Sequence, residues 1–319
     1  MTNTSFTLLG LSAAPGARAA QVLDLKLANV ATKLPLFVLN GAQAGPTVLV
    51  TAGIHGAEYV GIEAAMRLAL GTDLQQLHGR LVIVPISSMT AFAKRAIYVA
   101  PPDNKNLNRC FPGEANGSFA EQLADWLFQN LIRKADFYID LHGGDMNEAL
   151  TPFSVVSISG DAVLDATSMR LAEAFGLPNI ITSEVKGSTI SAASRVGVPA
   201  VLTEVGGQGL WPEHEVMQMS AGLHGALAFT GSIHSSQPAK PTRVMPQMAW
   251  LRSDYDGLFY PRCAVGEAVQ AGQVLGIVTD YLGNPVQTAL APIDGLVVFL
   301  VTTLAMNIGD PLLAVGGNG

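Results

Sequence analysis

From Pro46 the chain reads PTVLVTAGIHG, an apolar run that stops at glycine. A continuous run of this length, closed by a turn residue, predicts a strand buried on both faces over residues 47–52. After the turn, Tyr59, Ile62, Ala65, Met66 and Leu70 recur at helical spacing, which predicts a helix over 57–70. RLVIVPI predicts a second strand over 80–86. Over 119–134, Leu123, Trp126, Leu127, Leu131 and Ile132 share one face of an amphipathic helix. A strand at 137–141, a helix at 164–175, a strand at 200–204 and a helix over 212–229 complete the series. Strands alternating with helices predict an α/β layer, a mostly parallel, mixed sheet flanked by helices.

After about Ser235 the pattern changes. SSQPAKPTRVMPQ is rich in proline and polar residues and reads as a linker. Beyond it, GEAVQAGQVLG, APIDGLVVFLV and GDPLLAVG alternate turns with short apolar runs, which predicts a small all-β domain. The expected division is a catalytic domain at 1–235 and a β domain at 236–319. The Gly-Glu-x-Val-x-x-Gly-Gln-x-Leu segment looks like part of a biotinyl/lipoyl-type barrel. The last lysine of the chain is Lys240, so no lysine stands at the hairpin position a carrier domain modifies. The domain is therefore read as structural, or as a lid.

Composition narrows the class. Charged residues make up 13% of the 319, against about 25% in ordinary globular proteins, and apolar residues 49%. Either the interior is large or a second subunit covers apolar surface, and a homo-oligomer is expected. A net charge of −7 with 18 scattered basic residues argues against a nucleic-acid partner. The longest tempting apolar run, 296–306, is too short for a bilayer, which takes about 20 residues. The N-terminus lacks a basic region before its short apolar stretch. The expectation is a cytoplasmic protein with no membrane partner, and its two cysteines, Cys110 and Cys263, are read as free thiols.

In open α/β sheets, ligands bind outside the carboxyl ends of the strands. His55, His142 and Glu204 each fall at such an end. His55 and Glu58 stand three apart on a glycine-rich turn entering a helix, so both can face one point, and both are good zinc ligands. Alone, the pair reads equally well as structural. His142, in Asp140-Leu-His142-Gly-Gly, supplies a third ligand from another strand end, with Asp145 as a rival ligand. Two histidines and one carboxylate, with a fourth position open for water, form a catalytic rather than a structural zinc arrangement. Asp140 is placed to orient a histidine ligand through its ring N–H. Glu204 follows the apolar run AVLT, where an unpaired carboxylate is costly to bury. It either caps or pairs with an arginine, or it is the general base that takes a proton from the attacking water and delivers it to the leaving amine. In the polar loop DNKNLNRCFPG, Arg109 beside Asn108 offers a planar fork for a carboxylate. Arg95 is a second candidate, for a carboxylate or for an oxyanion beside the metal. His78, His214, His224 and His234 lack such surroundings and are read as surface or packing residues.

These segments in this order resemble the succinylglutamate desuccinylase/aspartoacylase family of the zinc carboxypeptidase-like superfamily. The match rests on His55-x-x-Glu58, Asn108-Arg109 followed by Phe-Pro-Gly, Asp140-Leu-His142 and Glu204, across most of residues 40–235. The resemblance implies one zinc ion per chain on His55, Glu58 and His142, with Glu204 as catalytic acid/base. It implies that Asn108 and Arg109 hold the substrate carboxylate and that Arg95 polarises the scissile carbonyl. The implied reaction is hydrolysis of the amide of a small N-acyl amino acid or acylated amine. Two other readings stand beside this one: a metallocarboxypeptidase trimming peptides, and a non-catalytic binding protein on the same fold.

Overall fold

The apolar runs read as buried strands pair with one another in a nine-stranded mixed sheet. The computed structural model describes residues 3–234 and 241–317. In chain order the sheet strands are β1 (Ala17–Leu27), β2 (Val30–Asn40), β3 (Gln43–Ala52), β4 (His78–Val84), β5 (Phe137–His142), β6 (Phe153–Ser157), β7 (Asn179–Ser183), β8 (Ala200–Glu204) and β9 (Arg243–Met245). They lie in the order β9-β7-β6-β8-β5-β3-β4-β2-β1. The helices are α1 (Tyr59–Gly71), α2 (Met89–Lys94), α3 (Phe119–Asn130), α4 (Ala162–Phe175), α5 (Thr189–Arg195) and α6 (Glu213–Phe229). The central strands β3, β5 and β8 pair in parallel, whereas β6 joins β8, and β2 joins β4, antiparallel.

Side chains alternate across the central strands because the period of a strand is two. Val48, Val50, Ile139, Leu141 and Val201 pack beneath the apolar faces of α1, α4 and α6. Leu49, Tyr138, Ala200 and Leu202 pack on the other face with Phe119, Leu123 and Leu127 of α3 and Ile190 of α5. The same alternation puts Thr51, Asp140, His142 and Glu204 on that second face, at the carboxyl end of the sheet. A buried layer on each side explains why these strands read as continuous apolar runs rather than alternating ones.

The helix read as continuous over 119–134 ends at Asn130. Leu131 leaves helical geometry (φ −124°, ψ −64°), and Ile132–Lys134 form a separate 3-10 turn. Leu131 and Ile132 remain buried, so the apolar pattern runs on although the helix stops. The segment read as a linker begins in residues 235–240, which lie outside the described residues. Its later part, β9, pairs in parallel with β7 at the edge of the nine-stranded sheet. Cys110 and Cys263 are free thiols.

The C-terminal region is all-β, two small sheets closed over Phe259, Leu275, Val278, Val297–Val301 and Leu312–Val315. It is tied to the N-terminal part by chain pairing. Strand Glu148–Leu150, just beyond β5, runs antiparallel to Gly295–Val301. The Thr302 amide donates to the Asn147 carbonyl at 2.7 Å, and the Thr151 amide to that of Val298 at 3.0 Å. Among the described residues, no helix is long and apolar enough to cross a membrane.

Candidate metal centre

His55 leaves the end of β3 in a turn whose glycines are needed. A Cβ on Gly56 would run into the backbone of Phe92, so only glycine lets α2 pack against the turn. His142 and Glu204 end β5 and β8 and are direct partners in the parallel register. Gly206, at φ +83°, then turns the chain away beneath Val60. Three neighbouring strands thus deliver three side chains to one edge.

The donor atoms of His55, Glu58 and His142 all lie within 4.8 Å of one another. Nδ1 of His55 is 2.7 Å from Oε1 of Glu58, and Nδ1 of His142 is 2.8 Å from Oε2. The opposite ring nitrogens are held by acceptors. Nε2 of His55 lies 3.0 Å from Oδ1 of Asn106, an atom that also accepts the Asn108 amide at 2.8 Å. An atom accepting an amide is the oxygen, so Nε2 of His55 carries the hydrogen. Nε2 of His142 lies 3.0 Å from Oδ2 of Asp140. Asp140, wholly buried, also accepts the hydroxyls of Thr51 and Thr189, each at 2.6 Å. Asp140 is therefore an acceptor, and Nε2 of His142 donates. Each Nδ1 then faces an oxygen of Glu58, an arrangement that a bound cation or a proton on each ring satisfies. Nδ1 of His142 and Oε2 of Glu58 are buried with no hydrogen bond, as metal donors are. The residues fit a zinc ion with two imidazoles and one carboxylate.

The electrostatics agree. Burial alone would raise the Glu58 carboxyl, but His142 and His55 outweigh it and hold it at about 2. Burial would lower His142, yet Glu58 and Asp140 push it well above the usual imidazole range; His55 is raised too, chiefly by Glu58. The carboxylates draw positive charge into the cluster. Burial pushes Glu204 well up, the charge of Glu58 adds to this, and His142 opposes it. Oε2 of Glu204 is buried without a partner.

The other expected residues divide. Asn108 is buried, its Oδ1 accepting the Thr189 amide at 2.9 Å, which joins its loop to Asp140 through Thr189. Among the described residues, its side-chain amide hydrogens have no acceptor. Arg109 is solvent-accessible, donates to the Asn108 carbonyl at 2.7 Å and is near enough to Glu204 to feel its charge. Arg95 is exposed in the left-handed conformation at the end of α2, with no hydrogen bond to these residues. Asp145 is outside the ligand set: its oxygens accept the amides of Tyr98 (2.6 Å) and Met146 (2.9 Å). Asn106, Thr51 and Thr189 were not singled out from the sequence. Thr51 had a findable signal, since it stands directly opposite Asp140 on the paired strand.

The model of the succinylglutamate desuccinylase/aspartoacylase catalytic domain matches residues 44–230. The chain is 29% identical over 299 residues to the N-alpha-acetyl-L-2,4-diaminobutyric acid deacetylase of Halomonas elongata, covering 89% of this chain and 86% of that protein. Its fold is similar to the product-bound ectoine utilization protein EutE (DoeB) of Ruegeria pomeroyi, with a TM-score of 0.85, 28% identity and 94% of each chain covered. It is also similar to a succinylglutamate desuccinylase/aspartoacylase from Rhodobacter sphaeroides, with a TM-score of 0.84, 27% identity and 93% and 94% covered.

Proposed function

The chain belongs to the succinylglutamate desuccinylase/aspartoacylase family, and from that premise we propose that it is a zinc-dependent deacylase of small N-acyl amino acids. Within that class, the acetylated diamino acid named for the Halomonas relative is the leading substrate. The observation that carries the reading is the facing trio of His55, Glu58 and His142 with the unpartnered Glu204 carboxylate on the next strand. A binding protein has no need of that base.

His55, Glu58 and His142 hold one zinc ion per chain. When bound, zinc supplies a Lewis acid that polarises the amide carbonyl and makes water more acidic. Glu204 takes a proton from the water attacking the carbonyl carbon and passes it to the amine nitrogen as the C–N bond breaks. The products are the free carboxylic acid and the free amine. Asn108 and Arg109 hold the substrate carboxylate through the free amide hydrogens and the guanidinium fork. Arg95 is the guanidinium proposed for the carbonyl oxygen, and it reaches that place only by folding inward from the exposed end of α2. The β domain, read as a biotinyl/lipoyl-type fold, acts structurally, for its last lysine, Lys240, stands in the linker and none stands at the hairpin position that a carrier domain modifies.

Asp140 sets the tautomer and direction of His142. Asp140→Asn should weaken zinc binding by about 10–100-fold, as loss of an outer hydrogen bond to a ligand does. Competition with a chelating dye measures this, and wild-type affinity would remove Asp140 from the account.

The substrate class is tested with a panel containing acetyl and succinyl amino acids, acetylated diamino acids and a peptide with a free C-terminus. Turnover should be confined to the small N-acyl compounds. Release of C-terminal residues from the peptide would favour the carboxypeptidase reading. The pairing of Glu148–Leu150 with the β domain, a few residues beyond the His142 strand, supports the small-molecule reading, because it brings that domain to the carboxyl end of the sheet.

A further inference from the structure

A cavity of about 240 Å³ lies where the β domain meets the segment following β5. One water needs only about 10–15 Å³, so the space holds a short side chain with solvent. Its wall includes Tyr98, Asn147 and Glu148 from the catalytic half, and Met306, Asn307 and Asp310 from the β domain.

The cavity lies beyond the turns that follow His142 and Glu204: the Glu148 carbonyl accepts the Gln208 amide at 3.0 Å, and the Gly144 amide donates to the Gly206 carbonyl at 2.9 Å. Asp145 ties two of its wall residues together: its carboxylate accepts the Tyr98 amide, and its own amide donates to Oε2 of Glu148 at 2.9 Å. The charge of Glu148 is felt at Glu204, and that of Glu58 at Glu148.

The polar lining carries two carboxylates, with the hydroxyls of Tyr98 and Thr303 and the side-chain amides of Asn147 and Asn307 as its donors. Glu148 is half-buried, and its Oε1 has no hydrogen-bond partner among the described residues. Oδ1 of Asn147 is buried with no partner. Asp310 turns Oδ2 to the amide and side chain of Asn307, which leaves Oδ1 free. No lysine, arginine or histidine is among the lining residues. Arg252, whose charge reaches Tyr98, is held by the Gly309 carbonyl at 2.8 Å. Unsatisfied acceptors of two carboxylates and one amide call for a ligand that brings several donors and a positive charge.

We propose that this cavity receives the side-chain ammonium of the substrate's amino acid part, held by Glu148, Asp310 and the side-chain carbonyl of Asn147. The inference rests on the deacylase reading and deepens it: the enzyme selects an N-acyl diamino acid with a short side chain over neutral or acidic ones. Supporting it, burial and the charges of Asp145 and Glu58 raise Glu148 to about 7 against the pull of the Asp145 amide. Burial, Asp310 and Glu148 likewise raise the Tyr98 phenol. Burial is the larger cause in each, and the neighbouring carboxylates add a negative field that a cation relieves.

The test is calorimetric titration of the zinc-replete full-length protein with free 2,4-diaminobutyrate and with 2-aminobutyrate, which lacks only the second amino group. The diamino acid should bind at least about tenfold more tightly, the size of one charge-assisted hydrogen bond. In Glu148→Gln, and separately in Asp310→Asn, the margin should shrink to under about threefold. Equal or undetectable binding of the two amino acids overturns the inference, and so does a preference kept in both variants. If Glu148→Gln does not fold, Asp310→Asn decides. Hydrolysis of the two N-acetyl derivatives, measured alongside, separates this inference from the reading beneath it. Turnover of neither defeats the deacylase reading, whereas turnover of both with equal kcat/KM defeats the ammonium site alone.

Discussion

Glu204→Gln should lose about 10²–10⁴-fold in kcat while keeping one zinc per chain and a KM within about threefold of wild type. The substitution keeps the shape at the end of β8 and the register with His142. Glutamine cannot take a proton, so only the transfer from water to the leaving amine is removed. The effect should fall on kcat, because the carboxylate acts on the reacting atoms rather than on parts of the substrate bound equally in both states. The pH profile gives a second signature. Burial raises the Glu204 carboxyl, so its basic form is lost as pH falls through that raised value. The wild-type rate should decline along this acidic limb, and the limb should be missing in Glu204→Gln. Wild-type kcat in the variant would sink the assignment; loss of zinc would make Glu204 a ligand instead.

The parts of the site carried by strand ends were legible because each strand is buried on both faces. TVLVTA, FYI and AVLT read as apolar runs, and the polar residues beyond them stand out: His55 past the Gly53-Ile54 turn, Asp140 with His142, and Glu204. Their nearness followed from parallel pairing, and β3, β5 and β8 are indeed neighbours. The residues that orient the ligands were not legible. Asn106 meets His55 across 51 positions, and Thr189 meets Asp140 across 49, distances that only tertiary packing closes. The long β1–β2 hairpin also escaped. β1 lies at the sheet edge, where Arg18, Gln21, Asp24 and Lys26 alternate with small or apolar residues, so no apolar run marks it. β9 is only three residues long and sits between Thr242 and Pro246 in a stretch whose composition says linker. Glu148 drew no notice because an acidic residue in a polar turn is ordinary. Its significance comes from the β domain that folds over it.

Removing the metal should abolish turnover, and restoring it should show how many ions the chain uses. Two imidazole lone pairs and a carboxylate face one another across less than 3 Å, and Asn106 and Asp140 hold the rings so that they cannot turn away. Chelation leaves that set to protons or water. The Lewis acid is then lost, which should cost at least about a thousandfold in rate, since such stabilisation is worth several kcal/mol. Zinc binds only the folded cluster, so the melting temperature should rise as it returns. The most direct measurement is therefore a zinc titration of the metal-stripped protein, with hydrolysis of N-alpha-acetyl-2,4-diaminobutyrate followed at each addition. Activity should climb linearly from background and level off at one zinc per chain. Full activity in the stripped protein, or none at any zinc concentration, would contradict a zinc deacylase built on His55, Glu58 and His142.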